Sequence, residues 1–281
     1  MNIDESGRRR SAIQDFIEQQ CGIVIGDDKF YLIESRLTGL LNELGIPTLD
    51  ALGKRMLADN NPALAARIVD AITTNETLWF RDKTPWQVIQ RKLPGYIEEI
   101  RAGRRFRVRI WSAACSTGQE PYSTAILIDR YLDQHKIKDV HPGHFEIIAT
   151  DVSTSVLQAA REARYDNVSI NRGLDVATRD RYFRNEGRLW VLSDAIRNLV
   201  DYRPLNLLEP FASLDTFDII FCRYVIIYFA EAVKLSVLRK THGALADGGI
   251  VFFGNSEILR DSERLFTERR EGDALYYEKR K

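Results

Sequence analysis

The chain has 281 residues, enough for one or two domains, and its 40 basic side chains are matched by 40 acidic ones, so no whole-molecule charge draws it to nucleic acid. No run of about 18 apolar residues suggests a membrane span. The three cysteines, Cys21, Cys115 and Cys222, are far apart and odd in number, which fits neither a disulfide framework nor a metal cluster.

Arg8–Arg10 lead into Gln14, Asp15 and Glu18 rather than an apolar core, so the start of the chain does not read as a secretory signal and a cytoplasmic location is expected. A helix is expected near residues 10–20. Phe30, Ile33, Leu37, Leu40, Leu41 and Leu44 recur at helical spacing, with Asp27 or Asp28 as cap and Gly45-Ile46-Pro47 as stop; Gly39 is expected to interrupt this helix. Leu64, Ile68 and Ile72 mark another. Residues 1–75 thus read as a helical N-terminal domain, and residues 76–104 as a linker with a helix around 85–100, stopped or bent at Pro94.

From residue 105 to 281 strands alternate with helices, the pattern of a mostly parallel sheet covered on both faces. The expected strands are Phe106–Trp111, Phe145–Thr150, Leu199–Arg203, Phe217–Cys222 and Ile250–Gly254. An edge hairpin should follow through Phe266–Arg270 and Ala274–Lys279, with Gly272-Asp273 as its turn. Residues from about 165 to 200 break the alternation: Tyr165–Leu174 is rich in turns, Thr178–Phe183 looks helical and Arg188–Leu192 reads as a short strand. This stretch is read as a small inserted subdomain.

Four strand tips carry the candidate chemistry, at the carboxyl ends where open α/β sheets bind ligands. After the first strand, Cys115-Ser116-Thr117-Gly118-Gln119-Glu120-Pro121 collapses into a turn of small residues and restarts as a helix, with Pro121 expected at its first position and free amides facing any ligand. One glycine is not the G-x-G-x-x-G of a dinucleotide site, so NAD is disfavoured. After the second strand, Asp151 could accept from both hydroxyls of a ribose, or merely cap the next helix. The third tip holds Asn206 and Leu207. The fourth, Phe221–Phe229, holds Arg223 and Tyr228, polar groups in an apolar stretch that need partners if buried.

Five segments taken in order, Ile72–Thr77 with Trp79–Asp82, Trp111–Tyr122, Ala149–Ser153, Leu205–Leu208 and Phe221–Phe229, resemble the chemotaxis receptor methyltransferases, the CheR family. The resemblance spans nearly the whole chain. It implies a class I methyltransferase (Rossmann-like) α/β fold with an inserted β-subdomain and an all-α N-terminal domain. It also implies S-adenosylmethionine as cofactor, S-adenosylhomocysteine as product, and glutamate side chains of chemoreceptor cytoplasmic helices as methyl acceptors. By the same resemblance Asn75, Thr77 and Arg81 close over the methionine end of the cofactor, with Arg81 facing its carboxylate. Gly118 and Glu120 belong to the glycine turn, Asp151 to the ribose, Asn206 and Leu207 to the adenine, and Arg223 and Tyr224 to the fourth-strand contacts. Tyr228 is placed near the transferred methyl, and Arg81 and Tyr228 are the candidate catalytic groups.

One position departs from the family pattern: Tyr224 stands where asparagine is usual, one hydroxyl on a ring in place of two donors and an acceptor on a short stem. Altered or weakened cofactor binding is expected from it. Trp79, where phenylalanine is common, is a milder change. A regulatory module that binds the cofactor without turnover is therefore the alternative function. The family docks acidic receptor helices on a basic face of the helical domain; here Arg36, Lys54, Arg55 and Arg67 are the available cations. Some relatives also add a receptor C-terminal peptide to an edge of the β-subdomain, for which Arg188–Leu192 is the candidate. A monomer is expected. His141-Pro142-Gly143-His144 reads as a surface loop, Cys115 and Cys222 as buried packing, and Trp86, Trp111 and Trp190 as packing residues.

Overall fold

The computed structural model describes residues 11–59, 61–259 and 262–280; Arg8–Arg10 lie outside them. Helix α1 (Ala12–Cys21) opens on a capping box between Ser11 and Gln14 and stops at Gly22, whose left-handed backbone ends it. Helix α2 (Phe30–Leu44) is not capped by an aspartate as expected. Asp27 and Asp28 lie in a preceding 3₁₀ turn, and the capping position falls to Lys29 without a side-chain bond. Gly39 does not interrupt the helix, since it sits on the exposed face with open space around it.

Helix α3 (Leu49–Ala58), capped by Thr48, carries Lys54 and Arg55 as expected, but its bounds are not marked in the sequence. Its signal is blurred by Gly53, where a Cβ would lie 2.2 Å from the Ile13 backbone nitrogen, so the glycine is there to let α1 and α3 touch. Helix α4 (Pro62–Ile72) starts on an Asn61 cap with proline at its first position. The four bury one core around Ile13, Phe16, Ile33, Leu37, Leu52 and Ile68.

Helix α5 (Thr84–Arg101) runs through Pro94 rather than ending there. The proline lies on the exposed face, where water can take the carbonyl bond it forfeits, while Trp86, Ile89, Leu93 and Ile97 keep one buried stripe on the sheet. The chain then alternates through β1 (Val108–Ala113), α6 (Gln119–Gln134), β2 (Phe145–Asp151) and α7 (Thr154–Glu162). Pro121 occupies the third position of α6, not the first, which is still within the first turn where no amide partner is lost. The His141–His144 segment is a 3₁₀ turn leading into β2.

The insertion follows as β3 (Arg164–Asp166), α8 (Asn167–Asn171), α9 (Val176–Tyr182), β4 (Phe183–Glu186), β5 (Leu189–Leu192) and α10 (Asp194–Arg197). Its sheet has the order β3-β5-β4, with β5 antiparallel to both neighbours. The expected docking edge at Arg188–Leu192 is therefore corrected: this strand is central and its ladder is filled on both sides. An apolar four-residue strand reads the same from sequence whether it is central or outer.

The main sheet is completed by β6 (Val200–Pro204), β7 (Phe217–Cys222), α11 (Glu231–Ala244), β8 (Leu245–Phe253), β9 (Phe266–Glu271) and β10 (Ala274–Lys279). The strand order is β6-β2-β1-β7-β8-β10-β9, parallel through β8 and closed by the antiparallel hairpin. β8 starts five residues before its expected start, because Asp247-Gly248-Gly249 reads as a turn but forms an irregular entry to the strand. Strand order reverses between β1 and β7, the switch point where a crevice opens at the carboxyl ends.

Candidate cofactor site

The turn after β1 is built on strained backbone. Ala114, Ser116 and Gly118 have φ of 56°, 51° and 93°, a region that costs a residue with a Cβ about 1–2 kcal/mol. Asp151, at the tip of β2, holds it there: one carboxylate oxygen accepts from the Ser116 amide at 2.9 Å, the other from the Ser153 amide at 3.0 Å. Each oxygen keeps a further acceptor position. Burial pushes the Asp151 carboxyl up, against the pull of the Ser153 and Ser116 amides. The cap of α7 is the Ser153 hydroxyl, so Asp151 is not spent on capping.

Behind this turn lies a buried charge network. The Arg223 guanidinium, its side chain 1% exposed, is paired with Glu120 at 2.7 Å and Asp82 at 2.6 Å. Burial works against its charge and the two carboxylates more than restore it. It also donates to the Arg81 carbonyl at 2.9 Å, which the Trp86 indole N–H meets at 3.1 Å. Trp86 thus does more than pack. Glu120 accepts in addition from the Ser112 hydroxyl at 2.8 Å. Tyr224 donates its phenol to Asp82 at 2.5 Å, and the Arg81 guanidinium stands 3.5 Å over its ring.

The segment between α4 and α5 crosses in front of the sheet and is fastened at several points. The Asn75 carbonyl accepts from the Ser116 hydroxyl at 2.8 Å, and the Phe80 amide donates to the Ser123 hydroxyl at 3.0 Å. Trp79 is fully buried, edge-on to Tyr165 and Phe183, and its indole N–H donates to the Ser169 carbonyl at 3.2 Å, which a phenylalanine could not do. Arg36 of α2 donates to the Ile72 carbonyl and to the Thr74 hydroxyl. Its expected place on a docking face is corrected, because it secures this crossing segment.

These elements enclose a cleft of about 930 Å³, open mouth included. Asn75, Thr77, Arg81, Glu120, Asp151, Asn206, Leu207, Arg223, Tyr224 and Tyr228 all line it. Gly118 does not: a Cβ there would point inward, 2.6 Å from the Tyr202 Oη, so this glycine serves helix–sheet packing. Asn206 is fixed between the two parts of the molecule, its Nδ2 donating to the Gln20 carbonyl at 2.6 Å and its Oδ1 accepting from the Leu208 amide at 3.0 Å.

Sequence reasoning missed Cys21 and Ile23, by which the helical part supplies a wall of the cleft, and Asp82, the second partner of Arg223. The Val24 amide bonded to the Tyr228 carbonyl at 2.8 Å, with the Asn206–Gln20 bond, brings that wall into place, through contacts no local pattern signals. Three of the nine described non-glycine residues with left-handed backbone, Ala114, Ser116 and Tyr224, line this cleft, and three more, Phe80, Asp82 and Lys83, flank Arg81 in the crossing segment. Strain concentrated in this way marks a functional site.

The profile of the CheR methyltransferase SAM binding domain matches residues 75–273, and that of the CheR all-alpha domain residues 11–73. The chain belongs to the CheR methyltransferase family. Chemotaxis protein methyltransferase 1 of Pseudomonas aeruginosa is 46% identical to it over 249 residues, 88% of this chain and 88% of its own length. The chemotaxis protein methyltransferase of Vibrio parahaemolyticus is 43% identical over 246 residues, 87% and 86% of the two chains. That of Escherichia coli is 32% identical over 270 residues, 94% and 88%.

This CheR-family chain is accordingly a chemotaxis methyltransferase of class I fold that uses S-adenosylmethionine. No described helix is long and apolar enough to cross a membrane. The residues of the cleft fit the cofactor: a carboxylate with unspent acceptor positions for a ribose, apolar Val152, Leu205 and Leu207 for a purine, and the Arg81 cation for a carboxylate.

Proposed function

We propose that this chain transfers the methyl group to glutamate side chains of chemoreceptor cytoplasmic helices, giving methyl esters. The observation that carries this reading is that the carboxylates lining the cleft are already engaged, Glu76 with Arg172, Glu120 with Arg223 and Asp151 with two backbone amides. No histidine or lysine lines the cleft among the described residues; the Cys21 thiol is pushed up to about 11 by burial, and burial likewise holds Cys115 protonated. An amine or hydroxyl acceptor would need deprotonation; a glutamate carboxylate, with an ordinary pKa of about 4.3, arrives ionised. When bound, the cofactor supplies the electrophilic methyl. What remains for the protein is to align, partly desolvate and hold the acceptor.

In this reading Asp151 holds the ribose, Leu207 and Asn206 the adenine side, and Asn75, Thr77 and Arg81 the methionine end, while the Arg223–Glu120–Asp82 network keeps Arg81 and the turn in place. Tyr228, half-buried on the cleft wall, offers its hydroxyl to the acceptor. Tyr228→Phe is expected to lower kcat roughly 3- to 10-fold, one lost hydrogen bond, with cofactor affinity unchanged by calorimetry; unchanged kcat removes Tyr228 from the mechanism.

Among the described residues of the helical part, the cations that the resemblance implies for docking are already engaged. Residues 11–75 carry five cations against nine acids. Lys54, Arg55 and Arg67 are each paired with an acid, and Arg36 is occupied at the crossing segment. A receptor C-terminal peptide, if added as a strand, would use β3 or β4, the outer strands of the small sheet. Tyr224, the reason for considering a module without turnover, is built into the network that orients Arg81, which supports the active reading. Labelled S-adenosylmethionine incubated with receptor signalling fragments should yield base-labile methyl esters on the receptor. Cofactor binding with no transfer to any fragment would overturn the reading.

A further inference from the structure

A buried carboxylate outside the network just described contacts the cleft only through backbone. Glu257, in the turn after β8, is 9% exposed and has no cation within ion-pair distance among the described residues. Its Oε2 accepts from the amides of Gly254 at 2.6 Å and Tyr224 at 2.9 Å; its Oε1 accepts from those of Ile226 at 2.9 Å and Ile227 at 3.4 Å. Four amides use the whole acceptor capacity of a carboxylate. Glu257 therefore has no position left for a ligand or a proton in the reaction, and what it does must pass through the loop it holds.

That loop is the exit of β7. It carries Arg223, Tyr224, Val225 and Tyr228 into the cleft wall, and its amides have no strand to bond them. Tyr224 has φ 59°, a backbone a bulky side chain keeps only where the surroundings dictate it. Here Glu257 holds its amide and Asp82 its hydroxyl. Gly254 completes the fit independently. A Cβ there would lie 2.9 Å from the Glu257 Oε2 and 2.9 Å from the Tyr224 ring, so the glycine is what lets carboxylate and ring come together.

We propose that Glu257 is a positioning residue for methyl transfer: its carboxylate clamps the Tyr224–Ile227 backbone to the β8 exit and so sets Arg81, through the Tyr224 ring, and Tyr228 at the cofactor. The proposal rests on the cleft being the cofactor site. A carboxylate suits the task because it alone among side chains is purely an acceptor at neutral pH. Glutamine at 257 would turn a donor toward two of the four amides.

The test is Glu257→Gln, with Gly254→Ala as a second variant that crowds the same clamp while leaving the carboxylate's chemistry unchanged. Both are read by calorimetric titration of S-adenosylhomocysteine and by hydrogen exchange of residues 223–229 in the ligand-free protein. Faster exchange confined to this loop and affinity lower by roughly tenfold or more, as misplacement of binding groups produces, are expected for both. If Glu257→Gln does not fold, Gly254→Ala supplies the reading. Wild-type affinity in a folded variant overturns the proposal, even if the variant is less stable, because a merely structural residue would lower stability alone. Asp151→Ala run alongside separates the two ideas. If it binds normally the cleft is not the cofactor site; if it loses binding while both clamp variants bind normally, only the role of Glu257 falls.

Discussion

Asp151→Ala is expected to weaken cofactor binding by a factor of about 10² to 10⁴. The carboxylate already spends one acceptor position of each oxygen on the Ser116 and Ser153 amides, and the proposed ribose contact would take two more. Hydrogen bonds to a charged acceptor contribute about 1.5–3 kcal/mol each, so losing two accounts for the factor. The amide of Ser116 loses its partner as well, and with it the left-handed turn its constraint. Asp151→Asn should be milder, since its amide oxygen serves one side and its NH₂ opposes a backbone donor on the other. Calorimetry with S-adenosylhomocysteine measures both; a loss below about fivefold in the alanine variant would exclude Asp151 from the ribose contact.

Arg223→Met is expected to be the most destabilising change at the site, by about 3–5 kcal/mol, because it strands two carboxylates that were neutralised in a buried place. For a chain of this size that is a fall of roughly 10 °C in Tm. The expected effect is not additive. Arg223→Met combined with Glu120→Gln and Asp82→Asn removes the stranded charges together and should be more stable than the single variant, while still failing to hold Arg81. Differential scanning calorimetry of both proteins decides it: a triple variant as unstable as the single one would mean that packing of the guanidinium, not charge, is what Arg223 contributes.

Much of the site was legible before any fold was known. Asp151, Asn206, Leu207, Arg223 and Tyr228 sit at strand tips because apolar strands end where side chains turn polar, and a sheet with alternating helices places those tips on one side. What stayed hidden depends on contacts between distant segments. The Asp82 partner of Arg223 is 141 residues away in sequence and the Glu257 partner of the Tyr224 amide 33. Gly53 and Gly118 look like a break and a ligand cradle, yet both are packing glycines, distinguishable only when the neighbour is in view.

Taken alone, then, the sequence determined the alternation of strands and helices, the helical start, the candidate tips and the family motifs, since all of these are written in local periodicity and residue type. Only the tertiary structure decided that β5 is central, that Arg36 secures the crossing segment, that the helical part walls the cleft, and that Tyr224 is part of a network around Arg81. The physical reason is that pairing, burial and charge neutralisation are properties of two surfaces meeting, and a single chain segment carries only one of them.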